Sequence, residues 1–211
     1  MPHIIKKTVY FFNELSDDAK EKARNWYRNG ALDYEWWDCT FEDAKTCLAL
    51  LGFTVNKIFF CGFSSQGDGA CFEGSWCADA VRPLDLKSHA PKDVELHRLA
   101  DELNYLALKF PQARLSVKHQ GHYYHKYETA FNVDTGTEDP DDMEYPSPAY
   151  NAARKAEQET EEALIEASRD AMHWIYRQLE NEYNYLNSDE QVDETILANE
   201  YEFTEDVRRA R

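Results

Sequence analysis

The sequence lacks the features that mark several classes of protein. No apolar run approaches the roughly eighteen residues that a membrane-spanning helix needs, and the first residues, MPHIIKK, lack the apolar core of a secretory signal. No CxxC pair occurs among the five cysteines, which are Cys39, Cys47, Cys61, Cys71 and Cys77. We therefore expect a cytoplasmic protein without membrane contact. Its thiols should be reduced and packed as small apolar side chains, not joined in disulfides or bound to zinc.

Basic residues are also scarce. The 211 residues include 40 acids against 23 lysines and arginines, which gives a formal net charge of −17. Most of the imbalance belongs to residues 136–211, which hold 21 acids and 7 bases. Such a surface repels nucleic acid and attracts basic proteins, including the grooves with which they bind nucleic acid. A merely solvated acidic surface is the plainer alternative.

The chain contains enough apolar and aromatic residues to form a hydrophobic core. Apolar residues make up 43% and aromatic residues 14% of the sequence, which excludes a disordered acidic chain. Periodicity and turn signals predict strands and helices that alternate along the chain. These are a strand at 3–12, helices at 16–30, 34–51 and 93–110, and hairpins at 53–77 and 114–133. The fold class is therefore α+β, with an antiparallel sheet of about four to five strands packed with helices.

The hairpin at 53–77 has a polar loop that is the first candidate for chemistry. Its loop candidates are Ser64, Ser65, Gln66 and Asp68, followed by Gly69. The segment is neither a phosphate-binding P-loop nor a nucleophile elbow. Its oxygens could ligate a hard cation, but one carboxylate is too few to bind it tightly. A structural turn is the leading interpretation. Cys61 and Cys71 could face each other across this hairpin.

A histidine cluster lies in the second hairpin. If Gln120-Gly121 is a two-residue turn, His119 and His122 are cross-strand neighbours. If the segment is one extended strand, His119 and His125 share a face instead. Neither arrangement brings three ligands together, so we expect no metal site, no cofactor and no catalytic residues here.

The acidic C-terminal third divides the chain into three parts. Residues 1–135 are predicted to form the α+β core, and 136–148 an acidic linker rich in proline. Residues 149–211 form a helical region that packs back on the core. A long acidic helix starts at Ser147-Pro148 and runs to about Leu186, with a polar first half. Whether this helix pairs with a second copy, giving a homodimer, stays open.

Candidate partner-binding residues lie in the linker and the long helix. Their carboxylates form either a solvated surface or a rigid row that imitates the phosphates of nucleic acid. Trp36 is added to them because its neighbour Trp37 points about 100° away on a helix, so both cannot face the core. Packing remains the simpler role for Trp36. The acidic candidates are Glu138, Asp139, Asp141, Asp142, Glu157, Glu161, Glu162 and Glu166.

Four segments of the chain carry a resemblance. They are VYFFNELSDDAKEKAR at 9–24, DYEWWD at 33–38, GFSSQGDGA at 62–70 and the run from SDEQ to NEYEFTED at 188–206. They resemble a largely uncharacterised family of bacteriophage and prophage accessory proteins, some of which are labelled antitoxin-like. The sequence departs from that family at Val207, where glycine is expected. The resemblance defines no catalytic residues.

What the resemblance implies is a binding function in a bacterial host. Small acidic phage proteins often inhibit host defence by occupying a basic protein or nucleoprotein complex. The leading hypothesis is therefore a non-enzymatic inhibitor of the anti-CRISPR or anti-restriction type that acts partly as a DNA mimic. The alternatives are an antitoxin-like protein that neutralises a toxin, and a small-ligand binder or hydrolase that uses the 62–69 loop.

Overall fold

The computed structural model describes residues 6–136, 147–204 and 206–207. The chain forms two compact units, of which the first comprises Met1–Asp38 and Asn181–Arg211 and the second Cys39–Glu180. The division predicted from the sequence cuts the chain at 135 and 149 instead, and it stays a prediction. The predicted 136–148 linker lies mostly outside the described residues.

In chain order, the helices and strands within the described residues mostly follow one another in pairs. They are β1 (Tyr10–Phe11), a short 3-10 helix (Phe12–Glu14), α1 (Asp17–Ala31), α2 (Asp38–Leu50), β2 (Leu51–Cys61), β3 (Gly69–Val81), α3 (Pro83–His89), α4 (Val94–Lys109), β4 (Arg114–His119), β5 (Thr129–Asp134), α5 (Pro148–Leu186), α6 (Asp189–Ala198) and β6 (Glu202–Phe203). The predicted α+β class is confirmed.

The first unit is built on α1, α6 and a two-stranded sheet. Strands β1 and β6 pair antiparallel, with Tyr10 opposite Phe203. Arg24 of α1 donates two parallel hydrogen bonds of 2.7 Å to the carboxylate of Asp193 of α6. Guanidinium and carboxylate groups favour this bidentate geometry. The buried apolar side chains of this unit are Phe12, Ala23, Val192, Ile196 and Phe203.

The second unit contains a four-stranded antiparallel sheet in the order β2-β3-β4-β5. Each strand therefore pairs with its neighbour in sequence, as two hairpins joined through α3 and α4. Cys61 pairs with Gly69 and Cys71 with Phe59, so the two cysteines are not opposite each other. All five cysteines are free.

The core of the second unit lies where this sheet meets the helices. Trp76 of β3 is buried, and its indole nitrogen donates a hydrogen bond of 2.9 Å to the carbonyl of Leu51. A buried indole N–H needs such a partner. Helix α4 supplies a fully apolar stripe to this core, made of Leu96, Leu99, Ala100, Leu103 and Leu106.

Three sequence-based boundaries were wrong. The predicted strand at 3–12 is reduced to Tyr10–Phe11, and its first residues lie outside the described chain. The second helix begins at Asp38, not at position 34, because residues 34–37 form a turn. Gly30 does not end α1 but lies within it, and Leu32 is the C-cap.

Helix α5 confirms the predicted long helix, with 39 residues. None of the helices within the described residues combines the length and the apolar character that crossing a membrane requires.

Candidate functional site

The first half of α5 presents its polar side chains to solvent. Between Pro148 and Glu159 no side chain is buried, and Thr160 is the first that is. The buried positions that follow, Leu164, Ala167 and Ala171, recur at helical spacing and mark the inward side. The sequence pattern already predicted this change from a polar to an amphipathic helix.

The exposed carboxylates of this segment form what we call the acidic face. It consists of Glu159, Glu161, Glu162 and Glu166, all of which are exposed. At 100° per residue, Glu159, Glu162 and Glu166 lie within about 60° of one another, opposite the inward side, whereas Glu161 lies about 100° from Glu162, on the flank between this sector and the inward side. Along the axis, neighbouring carboxylates on this side are about 4.5–6 Å apart, against about 3.4 Å per phosphate of one DNA strand. The row thus carries roughly two thirds of a strand's charge density.

Bases on the same helix offset part of this charge. Glu161 and Glu162 are not among the residues that pair with them, and Glu162 accepts a hydrogen bond of 2.8 Å from the neutral amide of Gln158. These two glutamates therefore carry the least compensated charge of the acidic face. The ion pairs within the helix are Glu157 with Arg154 at 3.1 Å, Glu159 with Lys155 at 3.7 Å, and Glu166 with Arg169 at 3.4 Å.

The other predicted partner-binding residues are not part of the acidic face in the described structure. Glu157 is half-buried beside Arg154. Trp36 belongs to the first unit, where its ring packs edge-on against Trp37 at 5.6 Å and at a tilt against Tyr183 at 5.8 Å. It is half-buried there. Its role as a binding residue stays a prediction. Glu138, Asp139, Asp141 and Asp142 lie outside the described residues.

The 62–69 loop is held together by Asp68. One oxygen of its carboxylate, Oδ2, accepts hydrogen bonds from the backbone N–H groups of Ser64 at 2.8 Å and Ser65 at 2.6 Å. The amides of Ser65 and then Ser64 lower the pKa of Asp68. Gly62 has φ +34°, and a Cβ there would lie 2.5 Å from this carboxylate. The geometry supports the structural interpretation of the loop, with Ser64, Ser65 and Gln66 exposed around it.

A small cavity adjoins this loop. Its volume is about 160 Å³, below the roughly 300–1,000 Å³ of typical small-molecule sites. The hydroxyl of Tyr176 donates a hydrogen bond of 3.3 Å to the carbonyl of Gly62 beside it. Burial, followed by the charges of Glu180 and Asp68, raises the pKa of that hydroxyl, so it remains protonated. The lining residues include Asp68, His125, Lys126, His173 and Tyr176.

Both predicted arrangements of the histidine cluster were wrong. Strands β4 and β5 are joined by a loop at 120–128, closed by a hydrogen bond of 2.7 Å from the Gln120 N–H to the Glu128 carbonyl. Each histidine has its own aromatic neighbour instead of a shared centre. His119 lies 5.0 Å from Phe59, His122 lies 5.1 Å from Tyr123, and His125 lies 5.2 Å from Tyr127.

Comparison with known protein families gives a match over most of the chain. Residues 36–189 match the model of a family described as a domain of unknown function, DUF8835. This is more than half of the chain. No curated protein and no solved structure matches.

Proposed function

The chain belongs to the DUF8835 family, a domain of unknown function, and we propose that it is a binding protein that docks on a basic surface of another protein through the acidic face. The partner is a nucleic-acid-handling complex of a bacterial host, and the acidic face occupies the groove that nucleic acid would fill. The protein thereby acts in the cytoplasm as an inhibitor of the anti-CRISPR or anti-restriction type.

One observation carries this proposal. The acidic face is exposed on a helix whose other side is anchored by buried residues, so its carboxylates are held at fixed spacing. A charged surface on a rigid element loses little conformational entropy on binding. The carboxylates of Glu161 and Glu162, the least compensated of the set, are the ones that we expect to contact partner lysines or arginines.

The charge distribution supports the same partner class. Residues 148–170 of this helix hold 6 acids and 3 bases, so the field around it is negative. Complementary charge raises the association rate and makes binding depend strongly on salt. A basic nucleic-acid groove has the matching field and is normally filled by a polyanion.

The test combines charge reversal with competition. Wild-type protein is used to capture partners from a bacterial lysate, with and without added duplex DNA, and is eluted in salt steps. We expect a nucleic-acid-handling complex that is released at moderate salt and displaced by DNA. The double variant Glu161→Lys, Glu162→Lys should fail to capture this complex. Capture by the double variant at the wild-type level, or capture that added DNA does not reduce, would refute the proposal.

A matched control separates the acidic face from total charge. Glu42→Lys combined with Glu194→Lys also changes the net charge from −17 to −13. Both residues are exposed and lie on other helices, α2 and α6. We expect this control to capture the complex as the wild type does. Equal loss in both variants would mean that net charge, and not the acidic face, determines binding.

A further inference from the structure

Three metal-ligating side chains converge in the second unit, away from the acidic face. Asp43 and Cys47 lie one turn apart on α2, so both project from the same side of that helix. His89 is the last residue of α3. The carboxylate oxygen, the thiol sulfur and the imidazole nitrogen of these residues all lie within 4.8 Å of one another.

The distances fit a metal better than a hydrogen-bonded pair. Asp43 Oδ1 and His89 Nε2 are 3.4 Å apart, which is long for a hydrogen bond. Zinc bonds to nitrogen and oxygen measure about 2.0–2.2 Å, which places tetrahedral ligand atoms about 3.3–3.6 Å apart. The Asp43–His89 distance is therefore already that of two ligands on one ion. The sulfur lies within 4.8 Å of both atoms, and in a tetrahedral zinc site this separation is about 3.6 Å, so the three side chains must close by up to about 1 Å around an ion.

We propose that Asp43, Cys47 and His89 form a binding site for a divalent cation of the zinc class. One thiolate, one imidazole and one carboxylate are ligands that zinc accepts together, whereas magnesium and calcium prefer oxygen alone. The ion joins α2 to α3. This site is independent of the function proposed for the acidic face.

The surroundings leave one coordination position for water. Asp43 and His89 are exposed and Cys47 is buried, so an ion held by all three would lie at the surface, where water can complete its coordination. Asp93 also lies near the thiol, but both of its oxygens are engaged. Oδ1 accepts from the Leu96 N–H and Oδ2 from the Trp174 indole. Three protein ligands and an open position are the arrangement of zinc sites that bind or activate a small molecule.

Two carboxylates, those of Asp43 and Asp93, lie close enough to the thiol to act on it electrostatically. Both attract a dication, and a bound dication in turn stabilises a thiolate ligand.

Cobalt is the probe that reports the sulfur ligand directly. Tag-free protein is titrated with Co²⁺, and thiolate-to-cobalt charge transfer is followed in the near ultraviolet. We expect one Co²⁺ per chain, an intense band, and loss of the band when Zn²⁺ but not Mg²⁺ is added. Equilibrium dialysis with metal analysis gives the zinc stoichiometry independently.

The variants identify the ligands. Cys47→Ser should abolish the band, while His89→Gln and Asp43→Asn, both at exposed positions, should weaken binding at least tenfold. Cys71→Ser and His173→Gln are the controls, because they remove a buried thiol and an exposed imidazole that lie outside the site. Absence of a band in the wild type, or a band that survives both Cys47→Ser and His89→Gln, would overturn the proposal. The Glu161→Lys, Glu162→Lys variant should bind Co²⁺ like the wild type, so the two proposals fail separately.

Discussion

The carboxylate of Asp93 accepts a hydrogen bond of 2.8 Å from the indole nitrogen of Trp174. The same carboxylate caps α4 by accepting from the backbone N–H of Leu96 at 3.0 Å. Trp174 is 2% exposed, so its N–H has no access to water. One side chain thus begins α4 and fixes α5 against it.

Asp93→Ala should destabilise the protein by about 3 kcal/mol. Loss of the cap costs about 1 kcal/mol, and leaving the indole N–H unpaired costs about 1–3 kcal/mol more. Chemical denaturation of the wild type, both single variants and the double variant with Trp174→Phe measures the coupling. In the Trp174→Phe background, Asp93→Ala should cost only the cap. Additive effects would show that the two side chains do not stabilise each other.

Asp68 should make stability sensitive to acid. Its pKa is lowered in the folded protein by two backbone amides, so the ionised form stabilises the fold. This contribution is complete above the unfolded pKa of about 4 and is lost as the pH falls through the lower folded value. The difference in melting temperature between wild type and Asp68→Ala should therefore be largest near neutral pH and shrink in acid. A difference that grows as the pH falls would contradict this role.

The elements that the sequence predicted well are those with local signals. The Asp93 cap, the apolar stripe after it and Pro111 define α4, and a run without glycine or proline defines α5. The Gln120-Gly121 turn failed because the loop is held by packing of its aromatic side chains, with Tyr124 stacked 5.2 Å from Phe59. A two-residue turn signal in the sequence carries no information about such a long-range contact.

The candidate metal site was not predicted, because it too depends on a contact between residues that are distant in the sequence. Asp43 and Cys47 are spaced one helical turn apart, which is a signal that the sequence does contain. His89 reaches them only through the tertiary fold, which brings the end of α3 to within 3.4 Å of the Asp43 carboxylate. The sequence analysis placed Cys47 among thiols packed as small apolar side chains and assigned no role to His89. The acidic face, in contrast, depends on a single helix and was predicted at Glu161, Glu162 and Glu166.

Cys39 and Cys71 should differ strongly in reactivity. Cys39 is exposed, whereas Cys71 is fully buried and burial raises the pKa of its thiol to about 12. Because the thiolate is the reactive form, alkylation of Cys71 should be at least about a hundredfold slower. Peptide mass spectrometry after timed iodoacetamide treatment measures both rates. Similar rates in the folded protein, and not only in denaturant, would be inconsistent with a packed core around Cys71.

Val207 occupies a backbone conformation that favours glycine. Its φ is +55°, and its N–H donates a hydrogen bond of 2.8 Å to the carbonyl of Thr204. A β-branched residue in the left-handed region is strained by about 1–2 kcal/mol. Its side chain also packs against the core of the first unit, so the strain must be separated from lost packing.

Comparing Val207→Gly with Val207→Ala achieves this, because both remove the two methyl groups of valine and differ only in the Cβ that alanine keeps. The glycine variant should be more stable than the alanine variant by about 1 kcal/mol. Gly30 is the control, because it lies in α1 and an added Cβ meets nothing within 4 Å. At that helical position alanine is the more stabilising residue, so Gly30→Ala should stabilise the protein by up to about 1 kcal/mol. Thermal or urea unfolding of the three variants measures both differences. If Val207→Ala were as stable as Val207→Gly or more stable, position 207 would carry no left-handed backbone strain.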